Sequence, residues 1–138
     1  METILINGAS QTFAPIPAGP ASLDLGAAST GNKFASSNVS ASDIITLTGT
    51  LAGATTVALA VPQNTQVVGT DTLAGALATG WIKLVHNNTA GAFALTVAGT
   101  DNSVSPAVPG VGVVVPSGSR QWLYSIDGVN VYPAAPSV

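Results

Sequence analysis

Residues 81–97 read Trp81-Ile82-Lys83-Leu84-Val85-His86-Asn87-Asn88-Thr89-Ala90-Gly91-Ala92-Phe93-Ala94-Leu95-Thr96-Val97, and this stretch decides the fold class. Two runs rich in apolar and β-branched residues flank a short polar link, Asn87 to Gly91. Asn and Gly tolerate left-handed backbone angles, so the link is expected to reverse the chain as a β-hairpin. Phe93, Leu95 and Val97 alternate with smaller residues and are expected on one face, with Phe93 and Leu95 filling a core.

The same alternation extends in both directions. Toward the N-terminus, Ile45 and Leu47 oppose Thr46 and Thr48, and Val57, Leu59 and Val61 oppose Ala58 and Ala60 until Pro62 ends the run. Gly49 to Gly53 reads as the turn between those strands. Toward the C-terminus, Val111 to Val115 is one expected strand, and Trp122, Tyr124 and Ile126 share a face of another. Asp127-Gly128 then supplies a turn before Val129 to Tyr132. Asn64 to Gly80 reads mostly as loop, with Gln66-Val67-Val68 open to a strand and Leu73 to Ala78 to a helical turn weakened by Gly75. Asp101 to Gly110 is expected as an exposed loop. Gly69-Thr70-Asp71 recurs as Gly99-Thr100-Asp101, an echo too short to define a repeat. The fold expected is all-β, an antiparallel β-sandwich or jelly-roll-like barrel with an extended N-terminal arm.

The arm is read from Pro15, Pro17 and Pro20, which fix backbone angles and remove ladder donors. Gly26 to Ser42 carries little to bury and is expected as a long loop or a region ordered by a partner. The division expected is therefore arm and Gly/Ala/Ser-rich segment over 1–42 and β-sandwich module over 43–138. A chain of 138 residues fits one domain.

Composition narrows the function. Only 7% of residues are charged, against roughly 25% in soluble domains, so much of the surface is expected to be covered by other chains. Lys33, Lys83 and Arg120 are the only fixed cations, too few for the basic stripe that nucleic acid requires, and no run reaches membrane-spanning length. The start of the chain has neither a basic flank nor a long apolar stretch, so synthesis in the cytoplasm is expected. Without cysteine there is no disulfide frame or thiolate metal site.

Glu2, Asp24, Asp43, Asp71, Asp101 and Asp127 are scattered and mostly sit beside Gly, Ser or Thr, which suits turns and caps better than a general acid–base pair. His86 stands alone, without a nucleophile-elbow pattern. No catalytic, cofactor-binding or metal-binding residue is expected, and the chain is not expected to be an enzyme. Trp81 and Trp122 admit two readings, core packing or exposed anchors for a partner surface or a glycan.

Four pieces occur in order between Asp43 and Ala134: Ile45-Thr46-Leu47-Thr48-Gly49-Thr50-Leu51, then Thr56-Val57-Ala58-Leu59, then residues 81–97, then Gly112-Val113-Val114-Val115-Pro116-Ser117-Gly118. They are followed by a strand through Tyr124 and by Asp127-Gly128-Val129-Asn130-Val131. This order resembles a β-rich module of bacteriophage virion proteins, including tail fibres, tailspikes and head-decoration or cement proteins. The resemblance implies assembly rather than catalysis, and a homotrimer. Asn64 to Gly80 and Asp101 to Gly110 are longer than in the fibre versions, which suits a capsid contact.

The expectation is thus a capsid decoration protein on the outer surface of a phage head, bridging subunits of the major capsid protein. Ile4, Leu5, Ile6, Phe13 and Ile16 are its candidate arm contacts, with Trp81 and Trp122 as further partner-binding candidates. The alternative is a short tail, baseplate or fibre component that contacts host surface glycans.

Overall fold

The structure, a computed structural model, describes residues 3–6, 9–12, 20–60, 65–68, 71–74 and 80–134, with side chains over 20–60 and 80–134 apart from Ser37. In chain order the elements are β1 (Thr3–Ile6), β2 (Ala9–Thr12), β3 (Ala21–Asp24), β4 (Ser29–Phe34), α1 (Ser37–Ser40), β5 (Ile44–Thr48), β6 (Leu51–Leu59), β7 (Thr65–Val68) and β8 (Asp71–Ala74). They continue with β9 (Trp81–Asn87), β10 (Leu95–Asp101), β11 (Val108–Pro109), β12 (Val113–Val114), β13 (Arg120–Ser125) and β14 (Tyr132–Pro133). The protein is all-β, as its alternation implies.

Two five-stranded sheets carry the fold. Sheet I has the order β11-β10-β6-β4, with β12 also on β10, and sheet II has the order β14-β13-β9-β5-β3. Three times the chain crosses from sheet II to sheet I, through β3–β4, β5–β6 and β9–β10. Each crossing stacks in parallel on the one before, since β3 pairs β5, β5 pairs β9, β4 pairs β6 and β6 pairs β10 with matching direction. The antiparallel expectation is therefore corrected at the centre of both sheets. Antiparallel ladders are confined to β9–β13–β14, to β11 and β12 on β10, and to the hairpins β1–β2 and β7–β8. The sheets do not close into a barrel.

The link after β9 shows why. The expected hairpin does not form, because β9 and β10 lie in different sheets. The Asn88 N–H donates to the Leu47 carbonyl (2.8 Å), the Ala90 N–H to Gly49 (2.9 Å), and the Leu51 N–H returns to Ala90 (2.8 Å). The backbone groups of the link thus find partners in the preceding crossing rather than in each other, which makes the turn an arch. Asn87 points inward, where its amide donates to the Val115 carbonyl (2.7 Å) and its side-chain oxygen accepts from the Thr89 N–H (3.0 Å). Gly49 (φ 112°) and Gly91 (φ 104°) make the arches possible, since a Cβ on either would stand 2.6 Å from a backbone oxygen of the adjacent arch.

Residues 26–42 are neither a loop throughout nor outside the sheets. They contain β4 and α1, and β3 and β4 are full members of sheets II and I, so the sheets begin before residue 43. Small polar residues order this segment through hydrogen bonds. The buried Ser40 hydroxyl accepts from the Ala60 N–H (2.9 Å), and the Ser42 hydroxyl accepts from Ala21 (3.1 Å) and donates to Ile44 (3.0 Å). Asn64 to Gly80, read mostly as loop, contains the β7–β8 hairpin.

The core fills the space between the sheets. Ile45, Leu47, Val85 and Leu123 from sheet II meet Leu51, Val57, Leu59, Leu95 and Val97 from sheet I, closed by Ala35, Val115 and Val131. Fully burying a Leu or Ile side chain contributes about 1.5–3 kcal/mol, so this cluster dominates the stability. Leu95 is in the core as expected, but Phe93 is 51% exposed because it lies in the arch rather than in β10. The expected strand over Val111 to Val115 shortens to β12, with Val111 exposed.

Candidate assembly interface

The outer face of sheet II concentrates large apolar side chains in the open. Its register arranges them in rows that run across the strands. One row is Tyr132 on β14, Tyr124 on β13 and Ile82 on β9; the next is Trp122, Leu84 and Ile44. Ile82 is 63% exposed and Trp122 50%, with Tyr132 and Ile44 also exposed and Leu84 and Tyr124 half-buried. The Tyr124 and Tyr132 rings lie 5.6 Å apart, tilted by 34°. A third row is polar, Arg120, His86, Thr46 and Ser22, and beyond it Thr48 pairs with Asp24. Arg120 and Asp24 are the only charged residues in these rows, and their charges cancel.

Alternation places the opposite side of the same strands in the core. On β9 the inward set is Trp81, Lys83, Val85 and Asn87, so the two tryptophans separate, with Trp81 packed against the core and Trp122 facing out. Trp122 and Tyr124, expected with Ile126 on one face, do share a face of β13, and it is the outward one, with Leu123 and Ser125 inward. Lys83 is buried among apolar groups. Its ammonium donates to the Ser42 carbonyl (2.9 Å) and lies 5.6 Å from the centre of the Trp81 ring, while the Trp81 indole N–H is buried without a partner. Loss of hydration pushes the Lys83 pKa down, and the carboxylate of Asp43 partly opposes that shift.

Asp24, Asp101 and Asp127 serve turns. Asp24 accepts from the Gly26 N–H (2.9 Å), and Asp101 accepts from the backbone and hydroxyl of Ser103. Asp127 accepts from the N–H groups of Asn130 (2.7 Å) and Val129 (2.8 Å) and from the Asn130 amide, which holds its carboxyl down to about 2. This turn joins β13 to β14 and sets Tyr132 beside Tyr124. Among the described residues, no three His, Asp or Glu side chains gather as metal ligands. His86 stands near the end of β9 between Thr46 and Arg120.

No family model, curated protein or solved structure matches this chain. Among the described residues, no helix is long and apolar enough to cross a membrane.

Of the two candidate residues whose side chains are described, Trp122 lies on this exposed face and Trp81 does not. Ile4, Leu5 and Ile6 belong to β1, with side chains outside the described residues, and Phe13 and Ile16 lie outside them altogether. Ile44, Ile82, Leu84, Tyr124 and Tyr132 were not singled out. The signal was present in β9, where apolar residues occupy both parities, Ile82 and Leu84 against Trp81 and Val85. A strand apolar on both sides has a second face to cover.

Proposed function

We propose that this protein is a virion assembly subunit, a decoration protein that binds the outside of a phage head as a homotrimer and bridges neighbouring capsid subunits. The observation that carries this reading is the exposed aromatic and aliphatic face of sheet II, on a chain with 7% charged residues. Large exposed apolar patches mark interaction surfaces, and Trp and Tyr are the residues that anchor them. The sequence resemblance supplies the setting, and repeated weak contacts over a shell add by multivalency. The test is the copy number of this chain relative to the major shell protein in purified particles, by quantitative mass spectrometry. A ratio near one is expected, and absence from particles would overturn the reading.

The half-exposed Trp122 beside the Tyr124–Tyr132 pair favours a second reading, a tail, baseplate or fibre component stacking on host glycans. A handful of copies per particle together with glycan-array binding that is lost in Trp122→Ala would select it.

A further inference from the structure

The geometry points to a second copy of this chain as the occupant of the outer face of sheet II, related by a two-fold axis parallel to the strands and passing over β9. The inference rests on reading this face as an assembly surface and names its partner.

Two sheets that meet face to face about such an axis exchange the strands on either side of β9, so β13 of one copy lies over β5 of the other. Every row stays on its own row. Leu84 and Ile82, on β9, face their own counterparts, and Trp122 comes over Ile44 of the second copy, both in the same row. Apolar groups then cover apolar groups at these positions, while Tyr124 comes over the chain just before β5. Arg120 comes over Thr46, with Asp24 of the second copy one strand and one row farther. At about 4.8 Å per strand and about 6.8 Å per two residues the lateral offset is roughly 8 Å, and with about 10 Å between the facing sheets the Cα atoms stand about 13 Å apart, the full reach of extended Arg and Asp side chains. The contact thus brings opposite charges toward each other twice, once on each side of the axis, and buries no like-charged pair.

An axis across the strands performs worse. Set over the row of Leu84, it lays Tyr124 against the polar row of His86 and Arg120; set between the two apolar rows, it leaves Arg120 and Asp24 outside the contact. The twelve positions of these rows, at about 4.8 Å by about 6.8 Å each, cover on the order of 400 Å² per copy, below the usual size of a specific interface. Pairing of free chains is accordingly reversible and concentration-dependent. Being two-fold, it joins copies in pairs whatever other contacts gather them into a trimer.

The chain has no cysteine, so single cysteines report the axis directly. Leu84→Cys is expected to cross-link to itself through a short bismaleimide. Ile44→Cys and Trp122→Cys are expected to link poorly alone and efficiently when the two variants are mixed. Sedimentation velocity of the full chain should show the mass doubling as concentration rises. Ile82→Glu, on a 63% exposed position, should abolish that doubling with an unchanged circular dichroism spectrum. Arg120→Glu or Asp24→Arg should each weaken pairing about two- to five-fold, and the two together should restore it. A mass independent of concentration, or self-linking at Ile44 or Trp122 in preference to Leu84, would overturn the inference. Particle copy number separates the two proposals: chains present on heads but unlinked through Leu84 leave decoration standing without the pairing, and chains that pair but are absent from particles do the reverse.

Discussion

The outer faces of the two sheets are built on the same alternation and end in opposite states. On the central strands of sheet I the outward positions are small, Ala52, Ala54, Thr56 and Ala58 on β6 and Thr96 and Ala98 on β10, and Ala58 and Ala98 are fully buried, while Phe34 on β4 and Val114 on β12, in register with Ala58 and Thr96, stand exposed. Gly112 closes over β10 so tightly that a Cβ there would stand 2.6 Å from Thr96 and 3.0 Å from Ala98. On sheet II the outward positions are large, and Ile82, Trp122 and Tyr132 are exposed. Small side chains let the chain's own backbone cover them. Large ones keep the backbone away and leave apolar area for another molecule. At the centres of the two sheets, where Ala58 and Ala98 are covered and Ile82 and Trp122 are not, residue size at the outward positions, rather than hydrophobicity alone, separates the covered positions from the open ones.

The largest loss is expected for Gly99→Val, which probes the core-facing side of sheet I. Gly99 lies on β10 with its N–H donating to the Val129 carbonyl (3.0 Å), and a Cβ there would stand 2.0 Å from the Gly128 oxygen. A loss of about 4 kcal/mol is expected, read from the urea midpoint. Leu123→Ala, in the core behind the open face, should cost about 3 kcal/mol by the same measurement.

Lys83→Met probes the inversion by which sheet II buries a cation while exposing aromatics. Replacing a buried ammonium by an apolar chain of similar volume should be neutral or stabilising by about 1 kcal/mol. Because burial lowers the folded-state pKa, the unfolded chain binds the extra proton between that value and 10.5. Unfolding free energy of the native protein should therefore rise with pH across that window, and in Lys83→Met the rise should vanish. A native curve that falls there would contradict the burial of the ammonium. Ile82→Thr, on the open face, should change monomer stability by no more than about 0.5 kcal/mol, in contrast to Gly99→Val.

The smallest effect is expected at the turn that sets Tyr132 on the open face. Hydrogen bonds from Asn130 and Val129 hold the Asp127 carboxyl down to about 2 in the folded protein against 3.8 for an ordinary aspartate, so its contribution is present above 3.8 and lost as pH falls through about 2. Asp127→Asn should remove that part of the acid dependence, seen as a flatter pH profile of the thermal midpoint.

Particular residues show how far local pattern carries. Ile45 with Leu47, Val57 with Leu59, and Leu95 with Val97 were legible as sharing faces from period-two spacing, and all six are buried, whereas Phe93, expected beside Leu95 in the core, is exposed. The turn at Asp127 and the start of the one expected over Gly49 to Gly53 were legible from residue type, since left-handed backbone and side-chain capping are local properties, but Leu51 to Gly53 already belong to β6. Trp122 was ambiguous. Its strand neighbours Leu123 and Ser125 are no more apolar as a set than Trp122 and Tyr124, so spacing told which residues share a face but not which face is inside. Ser40 and Ser42 were unreadable because their burial depends on the backbones of Ala60, Ala21 and Ile44, brought near only by the fold.

By itself the sequence determined the β character, the pairing of residues into faces and the positions of the main turns, because each follows from contacts within a few residues. Tertiary structure alone decided that Asn87 to Ala94 arches between sheets, that the central strands stack in parallel, and that Trp81 is packed inside while Trp122 stands outside. The reason is that a backbone N–H is satisfied equally well by a neighbour in its own hairpin or by the previous arch, and a strand apolar on both sides is stable with either face inward. Those choices are made by which partner surface arrives, and in this fold the partner is the preceding turn of the chain.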